Sequence, residues 1–428
     1  MMRNRTRTVL LGLCGLAIAH ALLTGTGSVL ALVRDQPGIV LTVLALVTIG
    51  ELVVVRMPSG RVLAPISAAA GTALATFGVL DPGPVLETTP AAIVLVFIVG
   101  QLVAVAVRRG LEPTSGAEAR LLALTAVAHV VRGPDIGGRT LWEWQVSAAT
   151  PRWAVAAGLV SMAAVALVVE RLLTAAVRAE VLHTSAVTAL TDEMGEAIPF
   201  TLGLIAPAPI ATLSAPVMGV LSLPLALIPV LINIVAVRRY AEVGLTLRET
   251  IRTLSRLTET GGYTSPRHAE RTADLSRVLA RRLDMGERDV TELEYAALLH
   301  DLGQLTLDQG IPHGATVLAA PADQRRIATA GAEIIRYAPD LAPIADLVEG
   351  QAVPFRAVLA HEEPASLGAR ILRVANAFDD HSQGLTDSVS VTRAIERIHL
   401  GLGYEYDPQV VLVLEDELAH RALGAPGA

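Results

Sequence analysis

Long apolar runs fill the first 238 residues of the chain, and short polar segments separate them. A membrane-spanning helix needs about 20 consecutive apolar residues. The run from Thr8 to Val33 has this length and contains no Asp, Glu, Lys or Arg. Several further runs follow, so the pattern predicts a polytopic transmembrane bundle of about eight helices. The predicted spans are 8–33, 38–55, 62–80, 91–107, 121–131, 153–169 and two within 199–237.

The arginines predict how these spans are oriented, because cytoplasmic loops carry an excess of positive charge. Three arginines precede the first span and Arg238–Arg239 follow the last, whereas the loop 81–90 holds two acids and no base. An even number of spans places both termini in the cytoplasm. We therefore expect a multipass protein of the cell membrane, with the lipid bilayer as a partner.

Ionisable residues are rare inside the predicted spans. Glu51 and Glu170–Arg171 lie near span ends, and we interpret the lone His20 and His129 as helix-packing residues. Ion pathways are normally marked by charges within the membrane. The pattern therefore favours a membrane sensor or anchor. A transporter-like membrane domain with a regulatory C-terminal domain is an alternative that the number of spans supports.

A segment from 239 to 262 has the pattern of an amphipathic linker helix. Its apolar residues recur at three- and four-residue steps, while arginines and glutamates occupy the other face. Such a helix could pair with its copy in a homodimer, or it could pack against its own domain. The apolar positions are Val243, Leu247, Ile251, Leu254 and Leu257.

The rest of the chain is helical in pattern and poor in strands, which predicts an all-α domain over 263–420 and a disordered tail over 421–428. The fold class expected for the whole chain is therefore all-α, with the membrane bundle (1–238), the linker helix and a cytoplasmic helical domain. The hydrophobic fraction of 52% is high for a soluble protein. A net charge of −7 argues against nucleic-acid binding. The single cysteine excludes an internal disulfide, and the absence of lysine suggests the coding bias of a bacterium.

The stretch ELEYAALLHDLGQL, residues 292–305, carries the strongest chemical signal. An apolar helical run leads directly into His300 and Asp301, and ionisable side chains at such a position are costly to bury without partners. Imidazole together with carboxylate suits iron, manganese or zinc. His300 and Asp301 are thus the candidate catalytic residues. Gly303 is expected to end the helix in a left-handed conformation.

Four segments together resemble the HD superfamily in their order and approximate spacing, and most resemble its HD-GYP branch, the bacterial cyclic di-GMP phosphodiesterases. The resemblance covers about 263–418. It implies a metal site formed by His268, His300 and Asp301. His361 joins them in one alignment register, and Gly350–Gln351 occupy that place in the other. The segments are His268, LLHDLGQL, GAEII (331–335) and LGARILRVANAFDD (367–380).

Several positions depart from the HD-GYP pattern. Gln304 stands where the family has a lysine, Ile327 where it has a histidine, and Asn376 where it has an aspartate; the Gly-Tyr-Pro loop is absent. Isoleucine cannot bind a metal, and glutamine carries no charge to meet a phosphate. These losses favour one metal ion (manganese, iron or zinc) or none over a two-metal centre.

Two hypotheses for the C-terminal domain follow. In the first, it is a degenerate output domain of a membrane-anchored signalling protein, which could bind a cyclic nucleotide without cleaving it. In the second, it is an active metal-dependent phosphohydrolase acting on a cyclic dinucleotide or another nucleotide. The first rests on Gln304, Ile327 and Asn376, and the second on the intact His268, His300 and Asp301.

Overall fold

The computed structural model describes residues 5–57, 62–77, 88–108, 116–133, 138–147, 149–182, 184–307, 311 and 314–424. The chain forms two compact units. One comprises Met1–Val181 and Ala189–Gly244, and the other comprises Leu182–Thr188 and Leu245–Ala428. The domain bounds expected from the sequence, 1–238, 239–262, 263–420 and 421–428, stay a prediction.

Where the structure describes it, the first unit is helical apart from one small sheet, which is an exception to the all-α expectation. Strands β1 (Val55–Arg56) and β2 (Val62–Leu63) pair antiparallel. Proline is the first residue of α2, α3, α4 and α9, a position where the missing backbone N–H loses no hydrogen bond within the helix. The helices are α1 (Arg5–Asp35), α2 (Pro37–Leu52), α3 (Pro65–Thr76), α4 (Pro90–Val107), α5 (Ala117–Arg132), α6 (Leu141–Val146), α7 (Arg152–Leu182), α8 (Ala186–Ile205), α9 (Pro207–Met218) and α10 (Ser222–Ala226).

The expectation of eight spans is wrong for the residues that the structure describes. Four segments are long and apolar enough to cross a membrane: Arg5–Asp35, Pro90–Val107, Arg152–Leu182 and Phe200–Thr260. Helix length explains the difference. At 1.5 Å per residue, a helix of 12 residues such as α3 reaches only about 18 Å, against a hydrocarbon core of about 30 Å.

Two of the other predicted spans are also short. Helices α2 and α5 have 16 residues each. The long run 199–237 is broken after α8, and again between α9 and α10 by a 3₁₀ turn at Gly219–Leu221. The end of the third predicted span and most of the loop 81–90 lie outside the described residues. The predicted orientation stays a prediction.

The few charged side chains inside the first unit include buried ones that form ion pairs. Glu51 of α2 is buried and accepts a hydrogen bond from Ser67 Oγ at 2.8 Å. Arg120 Nη2 lies 3.1 and 3.2 Å from its two carboxylate oxygens. A second buried group joins Arg171 and Arg178 of α7 to Glu193 of α8, at 3.7 and 3.4 Å. These pairs compensate the cost of burying charge in an apolar bundle.

The two histidines of this unit are not isolated from each other. His20 of α1 and His129 of α5 lie with their Nε2 atoms 3.4 Å apart. His129 Nδ1 donates to the Thr125 carbonyl at 2.8 Å. The description of both residues as lone histidines is therefore corrected, because they contact each other across two helices.

Helix α11 (Ile228–Thr260) has residues in both units and includes most of the predicted linker. Within the described residues, the second unit continues with helices and with 3₁₀ turns at Leu302–Thr306, Thr316–Leu318 and Pro339–Leu341. Helix α19 runs to Gly424, into the predicted tail. The helices are α12 (His268–Arg282), α13 (Glu287–Leu299), α14 (Pro321–Arg336), α15 (Ala342–Gly350), α16 (Phe355–Leu359), α17 (Leu367–Ser382), α18 (Ser388–His399) and α19 (Pro408–Gly424).

One hydrophobic core holds the second unit together. Its fully buried members include Leu279, Leu293, Ile371 and Ile398, which come from α12, α13, α17 and α18. Their three- and four-residue spacing gives each helix one apolar face, and burying these faces against one another stabilises the bundle. The ends of α13 and α17 and the start of α12 thereby carry the polar residues described next.

Gly303 has a different role from the predicted helix cap. Helix α13 ends at Leu299, and Gly303 lies within the following 3₁₀ turn without a positive φ. A Cβ atom at this position would overlap the carbonyl oxygen of Ile327 and lie 2.8 Å from the Gly331 amide nitrogen. The glycine is therefore required because the backbone of α14 passes directly against the turn.

Candidate metal centre

The second unit brings His268, His300 and Asp301 into one buried cluster. His268 is the first residue of α12, and the other two follow the last residue of α13. His268 and His300 are 32 residues apart in the chain, and the packing of α12 on α13 brings them together. Each residue offers one ligand atom, and these atoms all lie within 4.8 Å of one another. All three side chains are almost completely buried.

The distances within the cluster suit a single metal ion. His268 Nε2 and His300 Nε2 are 3.2 Å apart, and Asp301 Oδ2 lies 3.3 and 3.2 Å from them. Two ligands on one tetrahedral zinc ion, at about 2.0–2.1 Å from it, lie roughly 3.3–3.4 Å apart. The three atoms therefore form a triangle of the size that one divalent ion requires.

The hydrogen bonds on the far side of each imidazole fix which ring nitrogen faces the cluster. His268 Nδ1 lies 2.7 Å from Asp379 Oδ2, and His300 Nδ1 lies 2.8 Å from the Ala297 carbonyl. Both partners can only accept, so both Nδ1 atoms donate. In the neutral imidazoles, each Nε2 then presents a lone pair to the other and to the Asp301 carboxylate.

Asn376 of α17 adds a fourth acceptor. Its Nδ2 donates to Thr316 Oγ1 at 3.0 Å, which places Oδ1 3.2 Å from His300 Nε2. Within the described residues, neither oxygen of Asp301 accepts a hydrogen bond of good geometry. Three acceptors, His268 Nε2, His300 Nε2 and Asp301 Oδ2, thus converge on one buried point, and the Asn376 oxygen lies beside His300. Such an arrangement needs a cation, either a proton or a metal ion.

The cluster perturbs the titration of its members. Burial disfavours protonated His268, but the negative Asp301 and Asp379 carboxylates beside the ring outweigh burial and raise its pKa well above the usual value. Burial lowers the pKa of His300. Burial also opposes the ionisation of Asp301, but the neighbouring His300 and His268 hold its pKa below the usual value. The site therefore stabilises one added positive charge, centred on His268.

Asp379 and Arg271 orient His268, and the sequence analysis missed both of them. Arg271 donates to both carboxylate oxygens of Asp379, at 2.7 and 2.8 Å. A carboxylate behind a metal-binding histidine sets its tautomer and raises its basicity. The spacing of these residues could have indicated them. Arg271 lies three residues after His268, and Asp379 lies three residues after Asn376, so each shares a helix face with a candidate site residue.

His361 does not join the cluster. It lies in an exposed turn after α16 with φ of 56°, and it is not among the clustered ligands. Gln351 occupies the corresponding place instead, since its Nε2 donates to the His300 carbonyl at 3.3 Å. The structure therefore agrees with the alignment register in which Gly350–Gln351, and not His361, lie next to the site. The geometry does not support His361 as a ligand.

A small cavity of about 40 Å³ adjoins the cluster. Its lining includes His300, Asp301, Ile327, Gln351, Arg373 and Asn376. Pockets that enclose a drug-sized ligand have about 300–1,000 Å³, so this space holds waters but does not enclose a nucleotide. Arg373 donates to the Gln351 carbonyl at 2.8 Å and forms an ion pair with Glu405. Gln304 is buried and donates to the Gly314 carbonyl at 3.3 Å.

Comparison with known proteins supports the resemblance stated above at the level of the superfamily. A family model described as HD domain matches residues 230–410, which is less than half of the chain. No curated protein matches the chain. HD domains usually bind divalent metal ions, and the cluster of two histidines and one aspartate lies within the matched residues. The HD-GYP subtype stays a prediction.

Proposed function

We propose that this chain is a membrane-anchored signalling protein whose HD domain binds one divalent metal ion and acts as an output domain without efficient phosphodiester hydrolysis. The observation that supports metal binding is the convergence of three acceptors, on His268, His300 and Asp301, at one buried point, with the Asn376 oxygen 3.2 Å from His300 Nε2. The cofactor in this proposal is manganese, iron or zinc.

Each residue has a defined task in this proposal. His268, His300 and Asp301 hold the ion, and Asn376 offers a neutral carbonyl oxygen. Asp379 and Arg271 keep the lone pair of His268 directed at the cluster. A divalent ion bound there would supply positive charge that polarises a phosphate and lowers the pKa of a water molecule.

Weak hydrolysis is expected because the cavity offers little to a phosphodiester. Gln304 brings no charge, Ile327 brings no ligand, and Arg373 is already engaged by Glu405 and Gln351. A phosphate that enters would have the metal ion as a cationic partner but would gain no second charge from Gln304 or Ile327, so its lost hydration is only partly replaced. A cavity of about 40 Å³ is too small to enclose a nucleotide in this conformation.

The alternative function is a one-metal phosphohydrolase acting on a cyclic dinucleotide or another nucleotide. The specific observation that favours it is the intact cluster of His268, His300 and Asp301. In that case, the cavity must open before substrate binds.

The test uses the full chain, purified in detergent and loaded separately with Mn²⁺, Fe²⁺ and Zn²⁺. We expect about one bound ion per chain, lost in His300→Ala and retained in His399→Ala. His399 is a matched control because it is an exposed histidine that pairs with Glu415, outside the cluster. A wild-type chain without bound metal, or one whose metal survives His300→Ala, would contradict the proposal.

A hydrolysis assay on the metal-loaded chain separates the two functions. Cleavage of a cyclic dinucleotide that stops in His300→Ala would overturn the non-catalytic proposal in favour of the phosphohydrolase. Metal binding without cleavage would support the output domain.

Membrane anchoring is part of the same proposal. Four apolar segments and the arginines that flank 8–33 and 199–237 support a bilayer location with both termini in the cytoplasm. The test is recovery of the chain in the membrane fraction, followed by protease digestion of terminal tags in sealed vesicles. Tags cut from the outside of right-side-out vesicles would contradict the predicted orientation.

A further inference from the structure

Helix α11 carries a stripe of exposed apolar side chains that its own domain does not cover. Leu247, Leu254 and Leu257 are all exposed, although this part of the helix packs on the second unit. Thr250 lies between them and is exposed as well. Residues 247, 250, 254 and 257 follow the alternating three- and four-residue spacing of the a and d positions of a coiled coil. We call these four residues the α11 stripe.

The same spacing continues toward the N-terminus of the helix. Val243 and Tyr240 occupy the next d and a positions, and both are exposed. From Tyr240 to Thr260 the pattern therefore covers three heptads.

The charges on α11 fit a parallel pair of identical helices. From Tyr240 to Thr260, every charged residue falls at a b, c or f position, which points away from the partner in a coiled coil. The e and g positions hold only Gly, Thr and Ile, so two copies meet without like-charge repulsion across the seam. The charged residues are Glu242, Arg248, Glu249, Arg252, Arg256 and Glu259.

The other flank of α11 is already occupied by its own domain. Ile251, Ser255 and Thr258 are buried, and Arg248 forms an ion pair with the buried Glu294 of α13. At 100° per residue, this flank is centred about 100° around the helix from the stripe. The domain therefore holds α11 in place and leaves the stripe directed outward.

We propose that the α11 stripe, extended by Tyr240 and Val243, is the contact surface between two copies of this chain, which pair in parallel through α11. The exposed fractions of Tyr240, Val243, Leu247, Leu254 and Leu257 amount to about 2.7 side chains per copy. At about 2 kcal/mol per buried side chain, pairing gains about 11 kcal/mol per dimer. Association costs about 4–15 kcal/mol, so the pair is marginal in dilute solution. Confinement to one membrane raises the effective concentration and favours it.

Disulfide crosslinking of the full chain in native membranes tests this surface. In a Cys14→Ser background, Leu254→Cys and Leu257→Cys are oxidised with copper phenanthroline. Leu245→Cys is the matched control: Leu245 is an exposed leucine of the same helix at an f position, with 58% exposure against 39% and 49% for Leu254 and Leu257. We expect covalent dimers at 254 and 257 at least tenfold faster than at 245.

Equal crosslinking rates at all three positions, or no dimer at any of them, would overturn the proposal.

A second measurement covers the case of poor oxidation: the dimer fraction of the chain in lipid nanodiscs, counted by single-molecule photobleaching. Leu254→Asp with Leu257→Asp should reduce that fraction at least tenfold, and Leu245→Asp should leave it unchanged. A fraction insensitive to the double variant would also overturn it. Neither result depends on whether metal is bound.

Discussion

Replacing Gly303 by alanine tests the close approach that positions Asp301, two residues earlier in the chain. The new Cβ would lie 2.8 Å from the Gly331 nitrogen, whereas ordinary contacts begin at 3.4 Å. The turn and α14 must therefore separate by at least 0.6 Å here, and by more at the Ile327 carbonyl oxygen. Both obstacles are backbone atoms, which cannot rotate away. Overpacking of this kind costs about 1–3 kcal/mol, and we expect the upper part of that range.

Hydrogen exchange of the full chain, read by mass spectrometry on peptides from α13 and α14, measures this loss. A destabilisation of about 2–3 kcal/mol corresponds to roughly 30- to 160-fold faster exchange of the most protected amides. Tryptophan fluorescence would not report it, because Trp142, Trp144 and Trp153 all belong to the first unit.

Gly331→Ala is the matched control, because it adds the same atom on the other side of the contact. Its Cβ would lie 3.1 Å from the Gly303 nitrogen, a deficit of only 0.3 Å. Alanine also favours the interior of α14 by about 1 kcal/mol. We therefore expect near-neutral exchange in this variant. Equal effects of the two substitutions, or no effect of Gly303→Ala, would refute the steric reasoning.

Three further predictions concern the metal centre and its support. Asp379→Asn should weaken metal binding about 10- to 100-fold in a titration of the full chain, because it removes the carboxylate that orients His268. Since the pKa of His268 is raised, a metal ion must displace a proton from this histidine. The affinity for metal should therefore fall up to tenfold per pH unit below that pKa, and calorimetry in two buffers should detect the released proton. Glu294→Ala should destabilise the second unit by about 1–3 kcal/mol in hydrogen exchange, because Arg248 loses its buried partner, whereas Glu249→Ala, at an exposed site, should cost below about 0.5 kcal/mol.

Helical secondary structure and the chemistry of the candidate site were accessible from the sequence. Apolar spacing predicted the helices, since a helix buries residues three and four apart on one face whatever its neighbours are. His300 and Asp301 stood out because two ionisable residues close an apolar run. The superfamily resemblance then pointed to His268, which the structure places 3.2 Å from His300.

The number of long apolar helices was decided by tertiary structure and local breaks. Apolar content alone does not distinguish a span from a short helix buried within a bundle, such as α3, because both are uniformly hydrophobic. Likewise, His20 and His129 are 109 residues apart in the chain, and no local pattern announces their contact.

The remaining features of the site depend on contacts between distant segments. Gly303 is required by the backbone of α14, and Asp379 acts through His268, 111 residues earlier in the chain. Asn376 looks like a lost ligand in sequence, yet its amide orientation, set by Thr316, turns a carbonyl oxygen toward the cluster. A sequence determines which chemical groups are present and which face of a helix carries them. Only the packing of helices decides which groups meet, because that depends on backbone separations that no local pattern encodes.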